Sequence, residues 1–140
     1  MENLEYVLQV IEPWLDKYIE HGGASLLPLE AIGVGVWLLE AEVNNGGFDL
    51  YYFNSGGVLA EQTVEALDAI GAYETASILS AANRDVGQLP LPKDRDERSS
   101  RLDEISQTSK FGALEAEFHE EREDRIGLLA AYLKRAVNEA

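Results

Sequence analysis

The sequence predicts an all-α fold: a single domain over residues 1–140, with six to eight helices packed around a buried central helix. Three observations lead there. Apolar residues recur at offsets of three and four in successive segments. Glycines fall where each such stripe stops, the usual way a helix ends. No segment shows the period-two alternation of a half-buried strand.

In the first segment Leu4, Leu8, Ile11, Leu15 and Tyr18 form a helical stripe from Glu2 to Glu20, with Pro13 the only breaker inside it. "HGGAS" ends that helix. Pro28, suited to a first helical turn, opens "LEAIGVGVWLLEAEVN", apolar on nearly all sides and therefore the buried central helix. Gly33 and Gly35 each cost this helix ~1 kcal/mol relative to Ala, which is consistent with close approach by neighbouring helices. Gly46 and Gly47 should end it, Phe48 to Phe53 should form a short helical turn with its rings inward, and Asn54 to Gly57 should close the turn. Leu59, Val64, Leu67 and Ile70 then make a stripe that stops at Gly71, and "YETASILSAANRDV" makes another that stops at Gly87. "QLPLPKDRDERSS" is irregular, either an exposed loop or the start of a charged helix running to Ile105. Two last stripes follow, Phe111, Leu114 and Phe118, then Ile126, Leu129, Leu133 and Val137.

With 46% hydrophobic residues the chain can bury a core, but 11 Lys and Arg against 26 Asp and Glu leave a net charge of −15. That sign opposes direct binding to nucleic acid, whose phosphates require bases on the contacting face, and equally to anionic membranes. It favours a basic protein partner. There is no cysteine, hence no disulfide frame or thiolate site. The start "MENLEYVLQV" is acidic where a signal peptide would be basic, and Ala31 to Leu39 is half a membrane span, so the expected location is cytoplasmic.

The charge is uneven. Residues 1–88 hold 14 acids and 2 bases (net −12), and residues 89–140 hold 12 acids and 9 bases (net −3). Glu5, Glu12, Asp16 and Glu20 share one face of the first helix, and Glu61, Glu65 and Asp68 share one face of a later helix. Such like-charge pairs destabilise a helix by roughly 0.2–0.5 kcal/mol each. A fold needing only solubility could interleave bases, as the C-terminal part does with Arg122 and Arg125. Carboxylates at i and i+4 rise about 6 Å along the axis, on the scale of neighbouring phosphates on a nucleic-acid strand. These seven acids are the candidate partner-binding residues.

Catalytic signatures are not recognisable. "NNGGFDLYYFNSGG" lacks the strand before and the Lys after that a phosphate loop requires. Ser25, Ser55, Ser77 and Ser80 have no nucleophile setting. Glu115, His119 and Glu123 share a helix face, yet form neither H-E-x-x-H nor Glu-x-x-His, so no metal or cofactor is expected. Glu40 and Glu42 are the best carboxylate candidates, and with Asn44, Tyr51 and Tyr52 they define an alternative small-molecule or catalytic pocket; their simpler reading is a polar face and a helix end.

The run "LLEAEVNNGGFDLYYFNSGG" followed by "EALDAIGAYETASIL" resembles an all-helical domain-of-unknown-function family that includes a bacterial DNA-mimic protein. The likeness rests on Asn45, Gly46, Gly47, Phe48, Tyr52, Phe53 and Asn54, then Ala66-Leu67 and Ile70-Gly71-Ala72, with a looser fit at Leu114, Phe118, Leu129 and Tyr132. Leu50 stands where similar sequences often carry Gln, and the second turn reads Ser55-Gly56-Gly57 rather than Ser-Ser-Gly. The resemblance implies the fold first, with the motif mainly structural. It implies DNA mimicry, and a DNA-binding regulator as partner, to the extent that the acidic surface is kept.

Three functions compete: an acidic DNA mimic acting in transcription regulation, a binder or enzyme with a cleft at the motif, and a helical inhibitor or immunity-type module with an apolar, salt-indifferent contact face. A double ribbon of carboxylates, a cleft or an apolar patch on the surface distinguishes them.

Overall fold

A computed structural model describes residues 2–139 and, among them, places seven α-helices, two 3-10 turns and no strand, the expected class. The helices are α1 (Asn3–His21), α2 (Pro28–Phe53), α3 (Ala60–Ile70), α4 (Tyr73–Val86), α5 (Arg95–Ile105), α6 (Phe111–His119) and α7 (Arg125–Glu139). The 3-10 turns, Gly23–Ser25 and Ser55–Leu59, flank α2. As expected, α2 is central: α1, α3, α5, α6 and α7 all pack on it, while α3 pairs with α4 and α1 with α7. Among the described residues no helix is long and apolar enough to cross a membrane.

Helix α1 passes through Pro13 without interruption. Its buried line is Val7, Ile11 and Tyr18, with Trp14 and Leu15 partly buried beside it. Leu4 and Leu8, expected in that line, are instead 44% and 37% exposed, because α2 and α7 meet α1 along the Val7 side and leave these two at its edge.

Helix α2 starts at Pro28, and Glu30 reaches back to accept the Leu27 N–H at 2.8 Å while pairing with Lys17. Gly33 and Gly35, about 200° apart around the helix, serve different neighbours. A Cβ at Gly33 would lie 3.0 Å from both Ile11 and Trp14 of α1, and one at Gly35 would lie 2.5 Å from Thr63 Oγ1 of α3.

The helix breaks at Gly46 (φ −157°) and Gly47 (φ 75°, ψ −171°), a conformation open essentially to glycine alone. A new helical segment then begins at Phe48, whose N–H donates to the Glu115 carboxylate at 2.8 Å. This segment sends Phe48, Tyr51 and Tyr52 into the core, where Tyr52 stacks on Phe111 at 5.7 Å and donates to Asn83 Oδ1 at 2.5 Å. Phe53, expected among the inward rings, is 43% exposed, since it follows Tyr52 by 100° and faces outward.

The charged segment resolves into both of its alternatives. Residues 87–94 form a loop that buries Leu91, and α5 begins at Arg95 behind an Asp94 cap. One residue of α5 holds the end of α2. Arg98, 2% exposed, donates from Nε to Tyr52 O at 2.8 Å, from Nη2 to Asn54 O at 3.3 Å, and from Nη1 to the carbonyls of Pro92 and Lys93. The Tyr52 carbonyl is one that the end of α2 leaves without an intrahelical partner, Asn54 O also accepts the Gly57 N–H at 3.1 Å, and the Pro92 and Lys93 carbonyls belong to the loop before α5.

Substituting Gly35→Ala should destabilise the fold by about 1–3 kcal/mol through the clash with Thr63, despite a helix-propensity gain of ~1 kcal/mol, and Thr63→Ser should not relieve it because the Oγ1 contact remains. Replacing Arg98→Met should cost about 3–5 kcal/mol, removing the donor that reaches the Tyr52, Pro92 and Lys93 carbonyls and one of the two that reach Asn54 O. Urea unfolding of the variants measures both.

Candidate interaction surface

The acids of α1 follow from its buried line. With Val7, Ile11 and Tyr18 turned inward, Glu5, Glu12, Asp16 and Glu20 fall within an arc of ~80° on the opposite side, and all four are exposed. Leu8 and Ile19 lie at the edge of that arc, Ile19 being 75% exposed. On α3, Ala60, Thr63, Ala66, Leu67 and Ile70 are buried, so Glu61, Glu65 and Asp68 stand on the outward ridge. Both helices pack against α2, and each also touches α7.

The fold employs some of these acids. Glu61 accepts the Leu91 N–H at 2.6 Å and so anchors the loop before α5. Glu20 lies 3.7 Å from His21. Glu5, Glu12, Asp16, Glu65 and Asp68 have no hydrogen-bond or ion-pair partner among the described residues. Other carboxylates act as caps: Glu123 accepts from the Glu74 and Thr75 N–H groups and the Thr75 hydroxyl, and Asp85 accepts the Lys110 N–H at 2.5 Å at the start of α6. Glu115 and Glu123, which share a face with His119 in the sequence, are thus turned to different backbone groups.

The alternative pocket does not assemble. Glu40 and Glu42, two residues apart, point to different sides of α2. Glu40 pairs with Arg125 at 2.5 Å and accepts from Asn44 at 3.1 Å. Arg125 is 4% exposed, with its guanidinium 3.7 Å from the Phe118 ring centroid and bonded to the Phe118 carbonyl. It is therefore a buried anchor of α7 and not one of the interleaved surface bases the sequence suggested. Glu40 and Arg125 border an open, carboxylate-lined depression of ≈ 290 Å³ shared with Glu121 and Asp124.

Glu42 turns inward instead, 9% exposed, toward Gly56 and Tyr51, which is more than a polar face or helix end. Tyr51 and Tyr52 are fully buried and line no opening. Burial pushes the Glu42 carboxyl above its usual range, against the nearby Asn54 and the Gly56 N–H, and no donor reaches its Oε1 with good geometry. Burial likewise raises the Tyr18 hydroxyl to about 12. Glu42 and its tyrosines are a core polar cluster beneath the second turn, where a Cβ at Gly56 would collide with Glu42.

Sequence reasoning missed Arg98, Arg125 and Glu115 as structural residues. The signal available for Arg98 was its place four residues before Leu102, buried on the same helix.

A protein-family model described as DMP19-like protein matches residues 25–136. The matched span includes α2 to α6, most of α7 and the α3 acids, while α1 lies before it. No curated protein and no solved structure matches the chain.

A carboxyl raised on folding favours the folded state fully below its unfolded value, near 4.5, and loses that contribution as pH rises through the folded value. Glu42→Gln should therefore gain stability relative to the parent as pH increases from about 4.5 toward neutrality; parallel urea curves across that range measure the difference.

Proposed function

Because the chain belongs to the DMP19-like protein family, we propose that it works as a DNA mimic, an acidic domain that occupies the DNA-binding surface of a basic regulator and keeps DNA from it. The observation that supports this reading is the set of exposed carboxylates that the fold leaves unpaired: Glu5, Glu12 and Asp16 on α1, Glu65 and Asp68 on α3. A row of like charges is mildly unfavourable in the isolated helix. A basic surface would relieve that repulsion on binding, and counter-charge steering would speed encounter.

The surrounding residues fit the same reading. Leu8 and Ile19 border the α1 row and supply apolar contact that duplex DNA cannot offer, a source of specificity for one partner over others. The α1 row lies before the matched span, so this half of the surface belongs to the chain rather than to the family pattern. The reading also implies a cytoplasmic location, where such regulators meet DNA.

Capture from lysate at low salt, followed by competition with labelled duplex, tests it. The captured protein should bind DNA, release it when this chain is added, and bind less tightly as salt rises. Reversing Glu12 and Asp16, or Glu65 and Asp68, to Lys should weaken the complex by roughly two- to fivefold per residue, the scale of exposed charge pairs. Glu61 is best left intact because its carboxylate holds Leu91. A complex indifferent to salt and to these reversals overturns the proposal in favour of an apolar inhibitor-type contact.

A further inference from the structure

The segment after the helix break has two faces, and the core uses only one. Phe48, Tyr51 and Tyr52 are buried, while Asp49 and Phe53, four residues apart, turn to the other side with Leu50, beside Asn45 from before the break. There they meet α5 along a groove of ≈ 540 Å³ whose apolar floor is Leu50, Phe53 and Leu102. Asp49 and Asp103 line it, both exposed and neither paired by side chain to any base among the described residues.

We propose that this groove docks a short segment of a partner protein that carries a large aliphatic side chain next to a lysine or arginine. The aliphatic side chain covers Leu50 and the Phe53 ring, which is 43% exposed while the preceding Tyr52 ring is buried. Its basic neighbour meets Asp49 and Asp103. The groove has a direction: the Arg95 guanidinium sits 5.2 Å from the Phe53 ring at one end, and Asp103 follows two turns later on α5, about 12 Å along the axis. A cation on the incoming segment is therefore accepted at the Asp103 end and repelled at the Arg95 end. A second copy of this chain is a poor occupant, because each copy brings a net charge of −15. The site is separate from the acid rows of α1 and α3 and does not depend on the DNA-mimic reading.

The test uses the full chain, isotopically labelled for amide NMR, titrated with an end-blocked peptide of alternating leucine and lysine. Two control peptides replace its lysines by glutamate or its leucines by alanine. The expected result is a saturable shift of the amides of Asn45, Asp49, Leu50, Ser99 and Asp103 with the first peptide alone. Combining Asp49→Asn with Asp103→Asn should weaken binding roughly three- to tenfold, the scale of two exposed charge pairs, and Leu50→Gln should weaken it with the helical circular dichroism unchanged. Neutralising Glu65 and Asp68 should alter it by less than about twofold at physiological salt, where distant charges are screened. No saturable binding, equal binding of the glutamate or alanine peptide, or shifts confined to α1 and α3 would each overturn the groove as a docking site. Loss of regulator binding on reversing the α1 and α3 acids bears on the DNA-mimic reading and leaves this result untouched.

Discussion

The break at Gly46 and Gly47 is the constraint on which the rest of the fold depends. A helix continuing past Asn45 would carry Phe48, Tyr51 and Tyr52 around a single axis, and the five-ring cluster with Phe111 and Phe118 could not close. Turning the chain through Gly47, at φ 75°, redirects that segment into the core but exposes a new helix start and a new helix end. Each is completed by a charged residue far along the sequence. Glu115, 67 residues on, accepts the Phe48 N–H, and Arg98, 46 residues beyond Tyr52, collects the last carbonyls. The C-terminal helices thus supply charges as well as apolar surface. An unpaired backbone group in this position would cost roughly 1–3 kcal/mol, enough to make the docking of α5 and α6 part of folding α2.

The acidic excess divides along the same line. Glu30, Glu61, Asp85, Glu115 and Glu123 each accept a backbone N–H, and Glu40 neutralises the buried Arg125. These acids are explained by the fold. Glu5, Glu12 and Asp16 of α1 and Glu65 and Asp68 of α3 are not, and they lie in the part of the chain with two bases. Solubility alone would be met by a smaller imbalance with the signs mixed. The contrast between acids that cap and acids that only point outward separates structural charge from surface charge in a way composition cannot.

Much of the fold was legible because it obeys local rules. The glycine stops at Gly46, Gly71 and Gly87, the proline start at Pro28 and the close-approach glycines of α2 all act within a turn or two of themselves. What was not legible is the long-range pairing. Arg125 reads as a surface base, and Arg98 as one charge in an irregular stretch, because a single sequence shows their neighbours in the chain, Asp124 and Glu97, and not Glu40 or the Tyr52 carbonyl. Leu4 and Leu8 have helical spacing indistinguishable from that of Ile11. Their exposure depends on where α7 and α2 end their contact with α1, a property of the assembled helices. For the candidate surface, the row membership was legible from spacing, and the engagement of Glu61 by Leu91 was not.

The motif that carries the family resemblance buries Phe48, Tyr51 and Tyr52 and leaves its other side outward, and this bears on how function is distributed. Its inner face is constrained by ring packing, by Gly47 and by the Arg98 and Glu115 contacts, so Phe48, Tyr51 and Tyr52 are fixed by folding whatever the protein binds. The α1 acids, lying before the matched span, are under no such constraint: each is exposed, and replacing one alters no packing. Family membership therefore speaks chiefly for the scaffold, and the DNA-mimic reading proposed above rests on the side chains that scaffold happens to display. A chain of this fold that exchanged Glu12, Asp16, Glu65 and Asp68 for neutral residues would keep its core, its caps and its helix break. It would lose the unpaired carboxylates on which the proposed DNA-mimic reading rests.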